Sequence, residues 1–442
     1  MSHFRILSIA IAALLAVLQT EAQHNPNRAR YGSVRHVFGD GVNISDSIDV
    51  YRTLVNNRPV DKDFLNDPVF AIVGKNKSFY FSIGANLKFV GSFDWGNPSS
   101  DAVNSSVGSM TPAVPGDRQA FAMTAQGSNV YFNIIGFPQS ANQIGLFISL
   151  KLDKEPDSRY VVHANYVYMR YRDLLVGYST SLYNDKAADP FTIDAHGPIA
   201  SGAHDNIQVN FQKYLTDKIR LGIGVEAPRS DYTNYIPDTD ASEGFAESVR
   251  QRVPDIPVYI GYTPDTFSHM RLSGILRCIT YRDNIAGKNR TVPAAGLKFT
   301  GSWVADPFIF YAQTQCGKGI ASYIQDNAGL GLDLVPDASR PGHLVAPWAW
   351  GCIAGVQYNF TKSLFATAIY SYMHNYVDPY VSAVGTPYED QLRSGHYILG
   401  NVIWQLSPLF RTGLEYIHTV RNNCDRSSIS NNRLSLMLSM SF

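Results

Sequence analysis

The last ten residues, RLSLMLSMSF, put Leu434, Leu436, Leu438, Met440 and Phe442 on one side of an extended chain. Arg433, Ser435, Met437, Ser439 and Ser441 fall on the other. A period of two is the signature of a β-strand. Here it runs to the final residue, although chain ends are usually frayed and polar. The pattern recurs. In FYFSIGANLKFVGSFDW, Phe79, Phe81, Ile83, Ala85, Leu87, Phe89 and Phe93 share one face, and Tyr80, Ser82, Asn86, Lys88, Ser92 and Asp94 the other. Ile207, Val209 and Phe211 alternate with Gln208, Asn210 and Gln212. Ile219, Leu221, Ile223 and Val225 alternate with Arg220, Gly222, Gly224 and Glu226. Leu272 and Leu276 oppose Arg271, Ser273 and Arg277; Leu414 and Tyr416 oppose Arg411, Gly413 and Glu415. No helical period separates these segments, which excludes βαβ units.

Sixteen strands are expected, at 79–95, 118–137, 143–152, 159–172, 173–182, 205–214, 217–227, 254–263, 267–284, 291–305, 306–317, 347–360, 363–377, 394–407, 408–422 and 430–442. The count treats 118–137 as one strand through Gly127; splitting it gives an odd number, which single-chain bacterial barrels avoid. Short connections at 172–173, 216–217, 305–306, 361–362 and 407–408 alternate with long ones at 96–117, 183–204, 228–253, 318–346, 378–393 and 423–429. Short turns on one rim and long loops on the other mark an outer-membrane barrel.

Alternation alone fits a soluble sandwich as well as a membrane barrel. Three features favour the barrel. No helices exist to cover so large an apolar face. An open sheet of this size would leave edges that aggregate, and closure pairs every backbone group. Aromatic residues gather near strand ends (Tyr160, Tyr166, Tyr168, Tyr171, Tyr178, Tyr370, Tyr372, Tyr376), as an interfacial girdle requires. The expected fold is therefore all-β: a transmembrane antiparallel up-and-down β-barrel of about 16 strands, spanning 79–442. Its interior is too wide for side chains to fill. The loop 183–204, with Asp185, Lys186, Asp189 and Asp194, is the candidate to fold inward as a constriction; the alternative is an ordinary external loop.

Residues 1–22 read as a signal peptide: Arg5, an apolar run from Ile6 to Leu18 too short to span a bilayer, and a cleavage site after Ala22. Residues 23–78 form a polar N-terminal extension in which 45–57 can make a short helix. Lys plus Arg and Asp plus Glu both number 37, so the basic excess of a nucleic-acid binder is missing. Charged residues make up 17% of the chain, below the roughly 25% of ordinary soluble domains. Cys278, Cys316, Cys352 and Cys424 allow three disulfide pairings and equally an unpaired state. No catalytic, metal or cofactor site is expected. Gly177-Tyr178-Ser179-Thr180-Ser181 lacks the second glycine and the helix of a nucleophile elbow. GKNKS at Gly74 lacks the upstream glycine of a P-loop. His163 and His418 fall on strands as wall residues.

The segment GHYILGNVIWQLSPLFRTGLEYIHTVRNN, followed by NRLSLMLSMSF, resembles the C-terminal end of DcaP-like trimeric porins, through Asn401, Trp404, Pro408, Gly413, Glu415, Tyr416, Arg421, Asn432, Arg433 and Phe442. DLLVGYSTSLYNDKAADPFTIDAHGP resembles that family's strand and inward loop, with Gly177, Ser181, Gly197 and Pro198. The chain departs from the family at Val161, His163 and Asn165, where Arg and His are usual. It also lacks an acidic strand around 143–152 and a sustained heptad in 23–66. The resemblance covers about residues 67–442. It implies passive diffusion of small, often anionic, solutes through a homotrimer.

With polar faces taken as lumenal, the channel wall receives Lys88, Arg220, Arg271, Arg277, Arg411 and Arg433 against Asp94, Glu226 and Glu415, with Gln208 and Asn210 beside them. This basic excess favours anions, and arginine binds carboxylates bidentately. The expected function is an outer-membrane porin of a Gram-negative bacterium for small hydrophilic solutes, favouring small carboxylates. Its partners are outer-membrane lipid and the barrel-assembly machinery, for which terminal Phe442 serves as the signal. The alternatives are a non-conducting barrel used for adhesion or scaffolding and a secreted β-sandwich.

Overall fold

The computed structural model describes residues 36–38, 44–60 and 70–441, apart from 100, 102, 139, 156–158, 203–204, 234–245, 266, 338, 341 and 379–389. The signal peptide and Phe442 lie outside the described residues. Sixteen strands close into an antiparallel barrel. They are β1 (Phe79–Trp95), β2 (Gln119–Thr124 and Asn129–Gly136), β3 (Ile144–Lys154), β4 (Tyr160–Tyr171), β5 (Leu174–Thr180), β6 (Asp205–Tyr214), β7 (Ile219–Glu226) and β8 (Ala246–Ser248 and Ile256–Tyr262). Then follow β9 (His269–Asp283), β10 (Lys288–Ala305), β11 (Phe308–Lys318), β12 (Trp348–Asn359), β13 (Leu364–Asn375), β14 (Leu392–Gln405), β15 (Phe410–Asn423) and β16 (Ser428–Ser441). Each pairs with its neighbours in sequence. β16 also returns to β1, from Asn432↔Trp95 to Ser441↔Asn86. The final strand is therefore bonded on both sides, which is why its alternation persists to the end of the chain.

β2 is broken at Gly127, where φ is +88°. Both of its pieces nonetheless pair with β1, through Val90↔Thr124 and Asn86↔Asn129. The break is a local kink in one wall position, not an extra strand.

The outer face of the wall is apolar and uncovered. Leu436 is 53% exposed and Phe121 69%. Tyr171, Tyr262, Phe308 and Phe410 stand outward near the rim of short turns, and Tyr160, Trp348, Tyr376 and Tyr416 near the rim of long loops. Tyr166 and Tyr168 depart from the expected girdle. They are buried inside the barrel, where Tyr168 stacks on Phe147 with ring centroids 5.5 Å apart. The cause is a bulge. Ser149 pairs with Tyr166 while Leu150 pairs with Ala164, so Asn165 is an extra residue. A one-residue slip moves every later side chain to the other face.

Leu436→Arg should destabilise the barrel by about 2–4 kcal/mol in a bilayer, measured by urea unfolding in lipid. Unchanged stability would place this face in water.

The interior is not uniformly polar. Ile353, Ile369, Met373, Leu399 and Ile417 point inward and bury against Val107, Ile199, Ile320, Tyr323 and Ile324. Those partners come from loops folded into the barrel, and such loops need an apolar core of their own. At the opposite mouth, helix α1 (Ile44–Asn57) occupies the expected helical stretch. It is followed by a short strand, Phe70–Val73, pairing with β1 from Phe70↔Ile83 to Val73↔Tyr80. All four cysteines are unpaired, and Cys316 is exposed on the outer wall.

Candidate functional site

The loop between β5 and β6 crosses the barrel interior, as its small residues and length suggest. Its tip is held by Glu415 on β15, whose carboxylate oxygens accept hydrogen bonds from the Ile193 and Asp194 amides, both at 2.7 Å. Lys88 on β1 donates to the Ile193 carbonyl at 2.9 Å. Gln313 on β11 donates to the Ala188 carbonyl at 3.1 Å and to Asp189 at 2.8 Å, and Gln315 to the Ala200 carbonyl at 2.8 Å. The Ala200 amide donates to Ser371 on β13 at 3.1 Å. Buried charged and neutral polar side chains on the wall thus fix the path of the loop, because buried peptide groups must find partners.

The loop acids are equally committed. Asp185 accepts from His269 Nε2 at 3.0 Å and Thr300 Oγ1 at 2.6 Å. Burial would raise its carboxyl, but the neighbouring His269 and Arg271 charges and these hydrogen bonds hold it well below the usual carboxylate range. Lys186 pairs with Asp189 at 3.8 Å. Asp194 accepts from Tyr397 Oη at 2.9 Å and the Ser105 amide at 3.2 Å.

Two further loops join it. The loop after β1 is tied by Arg433, which is 1% exposed. Arg433 bridges Asp94 through Nε–Oδ1 and Nη2–Oδ2, both 2.9 Å, and donates to the Asn104 and Asp101 carbonyls. Arg421 donates to the carbonyls of Gly108 at 2.7 Å and Met110 at 3.2 Å. The loop after β11 is tied by Arg277, 3.0 Å from Asp255 and 3.1 Å from Asp333. Tyr323 Oη donates to Asp255 at 2.9 Å. Asp326 connects all three loops: it accepts from the Val107 amide at 2.7 Å and contacts His196 Nε2.

Burial would lower the His196 imidazole, but the carboxylates of Asp326, Asp194 and Asp101 outweigh it and raise its value above 6.5. A raised folded-state value means that protonated His196 stabilises the junction fully below 6.5, and that this contribution is lost as pH rises through the folded value. Loop-driven current noise should therefore increase with pH above 6.5 in single-channel records, and His196→Gln should remove that dependence.

The remaining expected wall residues all face inward. Glu226 accepts from the Leu182 amide at 2.9 Å. Gln208 donates to the Ser179 and Thr180 carbonyls, both at 2.8 Å, and accepts from Asn210 at 2.7 Å. Arg411 donates to Gln405 at 2.8 Å and lies 5.1 Å from the Phe191 ring centroid. Arg271 lies 3.7 Å from the Tyr259 ring centroid and donates to the Leu182 carbonyl. Arg220 lies 5.0 Å from the Tyr214 ring centroid.

The structure adds Arg170 on β4, within electrostatic reach of Arg220 and 5.9 Å from the Tyr168 ring centroid. The bulge at Asn165 concealed it. Lys298 on β10 is also inside, donating to Asn184 at 3.3 Å; its alternation with Leu297 and Phe299 was the available signal. Arg170, Arg220 and Arg271 make a row on β4, β7 and β9. None of the three forms an ion pair among the described residues.

A closed barrel of sixteen antiparallel strands, apolar outside, with a loop laid across its interior, has porin architecture. The chain matches the outer-membrane channel DcaP of Acinetobacter baumannii with a TM-score of 0.69 at 18% identity, over 84% of this chain and 99% of that one. It matches OprB of Pseudomonas putida at 0.51 and 8% identity, over 81% and 94%. For OmpF of Salmonella typhi the values are 0.50 and 10%, over 84% and 99%. These likenesses define the fold. No protein-family model matches the chain, and no curated protein does.

Proposed function

We propose that the chain is an outer-membrane porin, a water-filled channel for passive diffusion of small hydrophilic solutes that favours small carboxylate anions. The observation that carries the reading is the imbalance left inside the barrel. The wall acids are spent: Asp94 pairs with Arg433, and Glu226 and Glu415 accept backbone amides. Arg170, Arg220 and Arg271 form no ion pair among the described residues, although the charge of Arg271 also acts on the loop carboxylate Asp185. Basic residues along a pore favour anions, and guanidinium groups match carboxylates in a bidentate geometry. The same reading places the protein as a homotrimer in the outer membrane of a Gram-negative bacterium, delivered by export and by barrel-assembly machinery that reads Phe442.

Liposome swelling tests it. Small sugars and dicarboxylates should enter, the dicarboxylates faster than neutral sugars of equal size. Arg220→Glu with Arg271→Glu should abolish that advantage and leave sugar entry within about twofold. A correctly folded protein that admits none of these solutes is instead the non-conducting barrel.

A further inference from the structure

Helix α1 enters the barrel at the rim of short turns. Val50 and Leu54 bury against Tyr80 and Ile135, inward-facing residues of β1 and β2. The last carbonyls of a helix have no donor within it. Here the barrel wall supplies them: Asn133 Nδ2 donates to the Leu54 carbonyl at 2.7 Å, Arg170 Nη1 to Asn56 at 2.9 Å, and Tyr168 Oη to Asn57 at 2.5 Å. Asn57 Nδ2 also donates to Asn133 Oδ1 at 2.8 Å. Gly145 on β3 faces the Asn57 side chain, and a Cβ at that glycine would overlap it. Three donors from two strands and a notch on a third form a seat shaped for this helix end. The seat holds Arg58 inside the barrel, 7% exposed, with Nη1 3.3 Å from Tyr131 Oη. Arg58 lies 6.0 Å from the Tyr131 ring centroid and Arg170 5.9 Å from that of Tyr168.

We propose that α1 is a resident selectivity element: seated in the lumen, it narrows the mouth and brings Arg58 from the N-terminal extension into the row formed by Arg170, Arg220 and Arg271. The proposal rests on the channel reading above. A helix with its side chains is about 10–12 Å across, a large share of a lumen that a sixteen-strand wall encloses. The negative end of the helix dipole lies beside Arg170, so that arginine is oriented by the helix as well as by the wall.

Planar-bilayer recording of the full chain and three variants tests this. Arg58→Gln should lower the anion-to-cation permeability ratio roughly twofold with the conductance step unchanged. Gly145→Val, which fills the notch, should raise the conductance step roughly twofold and lower the ratio as well. Deletion of residues 44–60 should match Gly145→Val. Heat-modifiable gel migration reports folding in each case, and Arg58→Gln decides the matter if the other two do not fold. Wild-type step size and permeability ratio in every folded variant overturn the role of the helix while leaving the channel reading intact. A wild-type protein that folds but does not conduct overturns the channel reading, and the proposal with it.

Discussion

Asp94→Ala should destabilise the barrel by about 3–5 kcal/mol, the usual consequence of leaving one member of a buried ion pair uncompensated. Asp94 and Arg433 face each other across the seam where β16 meets β1. Their bidentate bridge joins the two ends of the wall, and Arg433 also holds the first long loop. Losing the carboxylate leaves the guanidinium in a site that excludes water. Asp94→Leu combined with Arg433→Leu should recover much of the loss, because an apolar pair removes the desolvation penalty along with the attraction. Urea unfolding in lipid, with gel migration before and after heating, measures both. A single variant as stable as the wild type would show that the seam is held by its backbone ladder alone.

Glu415→Ala should release the loop that crosses the interior. Each amide bonded to this carboxylate contributes on the order of 1.5–3 kcal/mol, and Asn401 Nδ2, 3.0 Å away, would lose one of its two acceptors and keep the Phe191 carbonyl. Glu415 is 0% exposed, so no water replaces it without rearrangement. The expected result is a larger and noisier conductance step, with the loop opened to protease between Lys186 and His196. Glu415→Gln keeps one acceptor and should fall between. A variant with wild-type current and wild-type protease resistance would mean that the loop is held elsewhere, by Gln313, Gln315 and Ser371.

The wall was legible in the sequence because an apolar outer face and a filled interior impose a strict period of two, as in β16. Where the backbone broke that period, the reading failed. Asn165 shifts the phase of β4, so Tyr166 and Tyr168 passed for lipid-facing girdle residues and Arg170 was missed. The charge balance was incomplete for another reason. Lys88, Arg277 and Arg433 counted toward the basic excess of the wall, but Arg277 is neutralised by Asp255 and Asp333, and Arg433 by Asp94. Lys88 is spent on a loop carbonyl. Asp333 lies far along the chain in a loop, where no periodicity assigns a neighbour. A helix over 45–57 was expected from its cap, but its seat inside the barrel depends on Asn133, Gly145 and Tyr168, which are brought together only by the fold.

Conduction by the folded chain and its preference for anions are read together from the reversal potential of single channels under a salt gradient. In a tenfold potassium chloride gradient, discrete current steps should reverse at a potential of the sign set by chloride. Charge reversal of Arg220 and Arg271 should move that potential toward zero or beyond. A heat-modifiable, correctly folded protein that gives no steps, or steps that reverse on the potassium side, would contradict the account.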